Sequence, residues 1–229
     1  MRAPSAPALL LLPALLLSAG PAALAAQAPP PSHGHGEHTD HAVEGGGTLP
    51  EGWSARADWG AGTAEVKVVP MGKGMHVTLG PAVILYRAST RGSGPFHTLA
   101  TFTQTRKTPH PEGYGLFYGG QLLEGGGETY TYFLVRGDGS YLIKRRDGEQ
   151  TTDITKGWVP SPAVHKLSAK GSATNLLEID NKRDPSKLVF MVNGQPVHTL
   201  KPAADVDGIV GIRANHHLDL HIDGFDVHR

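Results

Sequence analysis

From Leu49 to the C-terminus, apolar side chains recur at every second position in short runs, and the spacing of an amphipathic helix is scarce. A period of two sends alternate side chains to opposite faces of an extended chain, so each run reads as a half-buried strand. The runs are Ala64–Val69, Met75–Leu79, Ala82–Arg87, Phe96–Thr105, Gly113–Leu123, Thr129–Arg136, Tyr141–Arg146, Asn175–Asp180, Lys187–Val192, Pro196–Leu200, Gly208–Ala214 and Leu218–Val227. The chain's 30 glycines and 18 prolines punctuate them. A parallel sheet needs crossover helices, which this pattern lacks, so it predicts an all-β, antiparallel sandwich or barrel.

Two connections are specific. Asn193-Gly194 separates two strand runs, and this dipeptide takes the positive φ angles of a two-residue type I′ hairpin. Asp138-Gly139 in "RGDGS" offers the same chemistry. A bend there requires Asp-Gly whether or not anything binds, so the Arg136-Gly137-Asp138 triplet reads as a turn rather than an adhesion signal.

The N-terminus sets the compartment. Arg2 precedes an apolar run, Ala8 to Ala19, followed by small residues, which is the pattern of a secretory signal peptide over residues 1–26. The run is too short for a membrane span, and prolines interrupt it. Residues 27–48, rich in His, Gly and Pro, have almost no large apolar side chain and read as a disordered linker to a single domain over 49–229. The expected product is secreted or periplasmic, with no integral membrane segment after cleavage. The chain has no cysteine, so its stability must come from an ordinary hydrophobic core. With 21 Lys+Arg against 21 Asp+Glu it has no net charge, which removes the long-range attraction that nucleic acid would use.

The stretches "YGLFYGG" (Tyr114 to Gly120), "YTYFLVRGDGSYLIKRR" (Tyr130 to Arg146), "KLVFMVNGQPV" (Lys187 to Val197), "DGIVGIRA" (Asp207 to Ala214) and "LDLHIDGFDV" (Leu218 to Val227) carry a resemblance. Over Leu49 to Arg229 the chain resembles the concanavalin A-like, laminin G-like jelly rolls. Within them it is similar to a family of secreted bacterial domains called 3-keto-disaccharide hydrolase, or family-16-like. The resemblance implies a jelly-roll β-sandwich whose concave sheet is the usual ligand platform. It implies either a carbohydrate-binding module, a hydrolase of the keto-glycoside type, or a structural envelope domain, because one fold hosts all three.

Alternation on Thr129–Arg136 sends Thr131, Phe133 and Val135 to one face and Tyr130, Tyr132, Leu134 and Arg136 to the other. If the first set is core, Tyr130, Tyr132 and Arg136, joined by Tyr118, form a candidate sugar-binding face. Rings stack on sugar C–H bonds while phenol and guanidinium meet hydroxyls. The same tyrosines would also pack on a half-buried strand without any ligand. A family-16 glycosidase needs two glutamates flanking an aspartate on one strand; "LEIDNKRD" supplies Glu178 and Asp180, but Lys182 follows and no acid stands where the second glutamate belongs. His110 and Glu112 in "TRKTPHPEGYG" are the candidate base and acid, or ligands of a divalent ion.

Histidine suggests metal. His33, His35, His38 and His41 lie close together among glycines and could wrap a transition metal without thiols. His217, Asp219, His221 and Asp223 share one face of the last strand, where side chains two apart could share an ion only if another strand adds ligands. The resemblance makes Asp223 the candidate ligand of a structural Ca²⁺.

Overall fold

A computed structural model describes residues 43–58, 62–201 and 206–229. The signal-peptide segment, most of the linker and the four tail histidines lie outside the described residues. In chain order the strands are β1 (Gly46–Gly47), β2 (Trp53–Ala57), β3 (Val66–Met71), β4 (Gly74–Leu79), β5 (Val83–Gly92), β6 (His97–Gln104), β7 (Gly113–Gln121) and β8 (Thr129–Arg136). They continue with β9 (Ser140–Asp147), β10 (Gln150–Asp153), β11 (Val159–Pro160), β12 (Ala173–Asp180), β13 (Leu188–Val192), β14 (Gln195–Leu200), β15 (Gly208–Ala214) and β16 (Asp219–His228). Every run expected from the alternation is a strand; β1, β2, β10 and β11 are additional.

The strands form two sheets. The first runs β1-β3-β4-β16-β6-β12-β13-β14, and the second runs β10-β9-β8-β7-β15-β5-β2 with β11 on β9. All pairings are antiparallel except β1 with β3. Each sheet turns its apolar face to the other. Val77, Phe102, Leu177, Phe190 and Leu220 from the first meet Leu85, Leu116, Phe133, Val135 and Ile212 from the second, all fully buried. The expected antiparallel β-sandwich is the observed one.

The glycines before Leu49 are not a free linker to their end. Gly46 and Gly47 pair with Lys67 and Val68, and a Cβ on Gly45 or Gly47 would collide with the carbonyls of Ala64 or Val68. Only glycine approaches another backbone that closely.

The two hairpins differ. Asn193 and Gly194 both have positive φ (50° and 75°) between the paired Val192 and Gln195, as a two-residue type I′ turn requires. At the other, Arg136 pairs with Ser140, leaving a three-residue loop in which Gly139 alone takes positive φ (88°). Asp138 is not in the left-handed region. Its carboxylate instead accepts the Ser140 backbone N–H (3.1 Å) and pairs with Arg136 (2.6 Å), so the triplet's two charges neutralise each other within the turn.

Gly211 of β15 is required by contact. A Cβ there would stand 2.5 Å from the Leu85 carbonyl oxygen and 2.5 Å from the Phe117 ring. Since the carbonyl belongs to a paired strand, Gly211→Ala is expected to lower stability by about 1–3 kcal/mol, read as a shifted urea midpoint with unchanged slope.

Candidate functional site

The phase of β8 is the one expected: Phe133 and Val135 enter the core between the sheets, and Tyr130, Tyr132 and Leu134 point to the other side of the second sheet. That side is covered. Ile84, Tyr86, Phe117, Leu123, Tyr130, Tyr132 and Leu134 form a second apolar cluster, and Trp158 and Ile209 pack against it. Tyr130 is fully buried and Tyr132 is 8 % exposed, so neither ring is an open platform. Burial pushes both phenols above their ordinary pKa, keeping them neutral.

The other members of the expected face are placed differently. Tyr118 lies in the core between the sheets, its ring 6.1 Å from Phe190. The β7–β8 register shifts after Tyr118, but Tyr118 itself still pairs with Thr131, a residue of the inward phase. Arg136 is on the outer side but committed: it pairs with Asp138, donates to the Ser140 hydroxyl (3.0 Å) and lies 4.3 Å from the centre of the Trp158 ring.

Beside the covered tyrosines stands a buried ionic network. Arg213 grips Asp58 with two hydrogen bonds, Nη1 to Oδ1 and Nη2 to Oδ2, each 2.6 Å. Arg146 bridges from Asp58 (3.3 Å) to Oε1 of Glu128 (3.0 Å), and Arg56 reaches the same Oε1 at 2.8 Å. Arg213 also donates to the Tyr130 hydroxyl (3.3 Å), and its guanidinium lies 5.8 Å from the Tyr132 ring. Burying a lone ion is prohibitive, so such groups exist only as mutually satisfied sets. Burial pushes the Asp58 carboxyl up, but hydrogen bonds and charge from Arg213, with charge from Arg146 and Arg56, outweigh it and hold the group below the usual range. Glu128 behaves alike: burial raises it, and Arg56 and Arg146 bring it below normal. Both are carboxylates at neutral pH.

Two atoms of the network have no hydrogen-bond partner among the described residues, Arg213 Nε and Glu128 Oε2. Oε2 of Glu128 is buried and accepts no hydrogen bond among the described residues, while Oε1 takes two guanidinium donors. Glu128 is 2 % exposed and lines a cavity of about 520 Å³ together with Ala55, Arg56, Ala57, Gly62, Thr63, Glu124, Gly125, Gly126, Arg146 and Glu149. Leaving a charged acceptor dry costs more than the roughly 1–3 kcal/mol of a neutral one. A donor placed against Oε2 would remove that cost.

His110 and Glu112 are separated in character. His110 is exposed, and its carbonyl accepts from the Thr108 hydroxyl. The Glu112 carboxylate is 12 % exposed and stands 3.2 Å from His216 Nε2, on the turn after β15. Burial raises the Glu112 pKa and outweighs the Asn215 hydrogen bond and the charges of His217, His110 and Arg136; His216 is half exposed, so solvent screens its contribution. A raised folded-state pKa means the contribution is fully present below the unfolded value and lost as pH rises. Glu112→Gln, which fixes the neutral form, is therefore expected to leave stability at pH 7 unchanged or higher by less than about 1 kcal/mol, measured by urea unfolding at pH 5 and 7. The adjoining cavity of about 470 Å³ is lined by Arg106, Lys107, Pro109, Pro111, Asp138 and Lys170 among others, and by neither His110 nor Glu112.

On β16 the phase is again as expected for three of four residues. Leu218, Leu220 and Ile222 are core, and Asp219, His221 and Asp223 face outward. His217 lies before the strand, in a turn with φ 57°, off the shared face. The neighbouring strand does add a histidine: His76 of β4 pairs directly opposite His221 and lies 2.9 Å from Asp219. Asp223 is 3.4 Å from His221. Among the described residues, no three such side chains converge as metal ligands.

Comparison with solved structures places the architecture. A carbohydrate-binding module, CBM66 from Bacillus subtilis, superposes with a TM-score of 0.57 over 78 % of this chain and 96 % of its own, at 9 % identity. The carbohydrate recognition domain of Emp46p gives 0.54 over 77 % and 88 %, at 12 % identity. A protein of unknown function with a galectin-like fold, also from Bacillus subtilis, gives 0.52 over 77 % and 88 %, at 10 % identity. The fold is a jelly-roll β-sandwich. No protein-family model matches the chain, and no curated protein matches it, so the likeness is one of fold and the 3-keto-disaccharide hydrolase family finds no support in sequence.

Sequence reasoning missed Arg56, Asp58, Glu128, Arg146 and Arg213. One signal was available: Glu128 is in phase with Tyr130 and Tyr132 and belongs to the same face.

Proposed function

We propose that this domain is a carbohydrate-binding module whose ligand enters the cavity walled by Arg56, Glu128 and Arg146. The observation that carries the reading is the buried, unpartnered Oε2 of Glu128, a residue that lines the cavity. A volume of about 520 Å³ lies within the range of small-ligand sites, about 300–1,000 Å³. Carboxylates beside guanidinium groups offer acceptors and donors at fixed positions, the combination that neighbouring sugar hydroxyls satisfy. Two solved structures of similar fold, CBM66 and the Emp46p domain, carry names that describe carbohydrate binding, which supports the same reading.

In this reading residues 1–26 are a cleaved signal peptide, the His-rich segment that follows is a spacer with some affinity for transition metals, and the domain works outside the cytoplasm. Among the described residues no helix is long and apolar enough to cross a membrane. Glycan-array binding followed by thermal unfolding with the best ligand tests the proposal. A ligand at 100 times its Kd is expected to add about 2.7 kcal/mol of stability. An array without a hit, and no thermal shift with any glycan, would remove the carbohydrate reading and leave a structural envelope domain.

A further inference from the structure

The chemistry of the cavity wall also defines which saccharides it accepts. Resting on the carbohydrate reading above, we infer that the ligand meets Glu128 with hydrogen-bond donors, hydroxyl or ammonium, and that sugars bearing a carboxylate or sulfate are excluded.

Three observations carry this. The first is the acceptor itself: Oε2 of Glu128 is buried and unpartnered, and Arg56 and Arg146 keep the group ionised, so it can only accept. The second is that the cations at the wall are already engaged. Arg56 and Arg146 share Oε1 of Glu128, and Arg146 also pairs with Asp58, whose second oxygen is taken by Arg213. An incoming anion would meet guanidinium groups whose charge already compensates Glu128 and Asp58, and would stand beside the Glu128 carboxylate itself. The third is the balance of charge: Glu124, Glu128 and Glu149 line the cavity against Arg56 and Arg146. The lining therefore repels anions at close range and attracts a protonated amine.

The test uses the full chain and the neutral glycan that gives the largest thermal shift. That glycan is compared with the same glycan whose primary hydroxyls have been oxidised to carboxylates, and with a glucosamine oligosaccharide of equal length, each titrated calorimetrically. The neutral glycan is expected to bind at least about tenfold more tightly than its oxidised form, the size of one charge-assisted hydrogen bond exchanged for a repulsion. Glu128→Gln is expected to weaken the neutral glycan by about tenfold and to shrink the preference to about threefold or less, because the amide presents a donor in place of the anionic acceptor. A purely structural role for Glu128 would weaken both ligands equally and leave the ratio unchanged. Should E128Q fail to fold, the double variant Glu124→Gln/Glu149→Gln, at exposed positions, is expected to narrow the preference while leaving the circular dichroism spectrum intact. Equal or tighter binding of the oxidised glycan, or a preference indifferent to both variants, overturns the inference while leaving the carbohydrate reading in place. If no glycan binds the unmodified chain, that reading falls and the inference falls with it. A glucosamine ligand that outbinds the neutral one identifies the donor as ammonium; the reverse order identifies it as hydroxyl.

Discussion

Replacing Asp58 by alanine is expected to lower the unfolding free energy by about 3–5 kcal/mol, because it leaves a buried guanidinium without its carboxylate. Arg213 is 7 % exposed at the side chain, and Asp58 supplies both of its 2.6 Å hydrogen bonds. Without them Arg213 retains only the Tyr130 hydroxyl and the Tyr132 ring, and its Nε already lacks a partner. Arg146 is hurt less, since Glu128 still holds it at 3.0 Å. The double variant Asp58→Leu/Arg213→Leu should recover part of the loss, as replacing a buried ion pair by apolar groups is often near neutral. Urea unfolding at pH 7 measures all three.

The same pair fixes the response to acid. The folded-state pKa of Asp58 is depressed, so its stabilisation is present above the unfolded value, about 3.9, and disappears as pH falls through the folded value. Glu128 adds a contribution of the same sign. The gap in stability between the unmodified chain and Asp58→Ala should therefore be largest near neutral pH and close below about pH 4. A gap that persists at low pH would mean the alanine acts by creating a cavity rather than by stranding a charge.

Phe133→Ala is expected to cost about 3–5 kcal/mol as well, by a different mechanism. The ring is fully buried, 5.2 Å from Phe190 of the opposite sheet and 6.2 Å from Tyr141, so its loss opens a void between two sheets that β-pairing holds apart. Losses of this size compare with the whole stability of an ordinary domain, about 5–15 kcal/mol, so the variant sits close to unfolding at ambient temperature. A loss below about 1 kcal/mol would place Phe133 at the surface and reverse the phase of β8, and with it the assignment of Tyr130, Tyr132 and Glu128 to the outer side.

The fold was legible because one signal repeats along the whole domain. Phe133 and Val135, Leu116, and Leu218, Leu220 and Ile222 each follow period two, and each meets the opposite sheet as that period requires. β2 escaped notice because Trp53 is the one large apolar residue of its inward set; Ala55 and Ala57, which complete it, are too small to mark a strand by hydrophobic contrast. That omission removed Arg56 and Asp58, at and just beyond its end, from consideration. The site was less legible for a general reason. Alternation states which face a side chain takes but not whether that face is open, and Leu123 and Trp158, both from outside the strands, decide that Tyr130 and Tyr132 are covered. Arg146 and Arg213 read in sequence as ordinary surface cations. Their burial depends on Asp58 and Glu128, which arrive from positions 88 and 155 residues, and 18 residues, away.

The central claim is that a saccharide is held at Glu128 on the outer side of the second sheet. Two-dimensional ¹H–¹⁵N spectra of the chain, recorded while titrating the glycan selected by the array, measure this directly. The account predicts perturbations centred on Arg56, Glu124 to Glu128 and Arg146, including the guanidinium resonances of Arg56 and Arg146. Perturbations confined to His76, Asp219 and His221, or to His110 and Glu112, with the Glu128 amide unmoved at saturation, would contradict it.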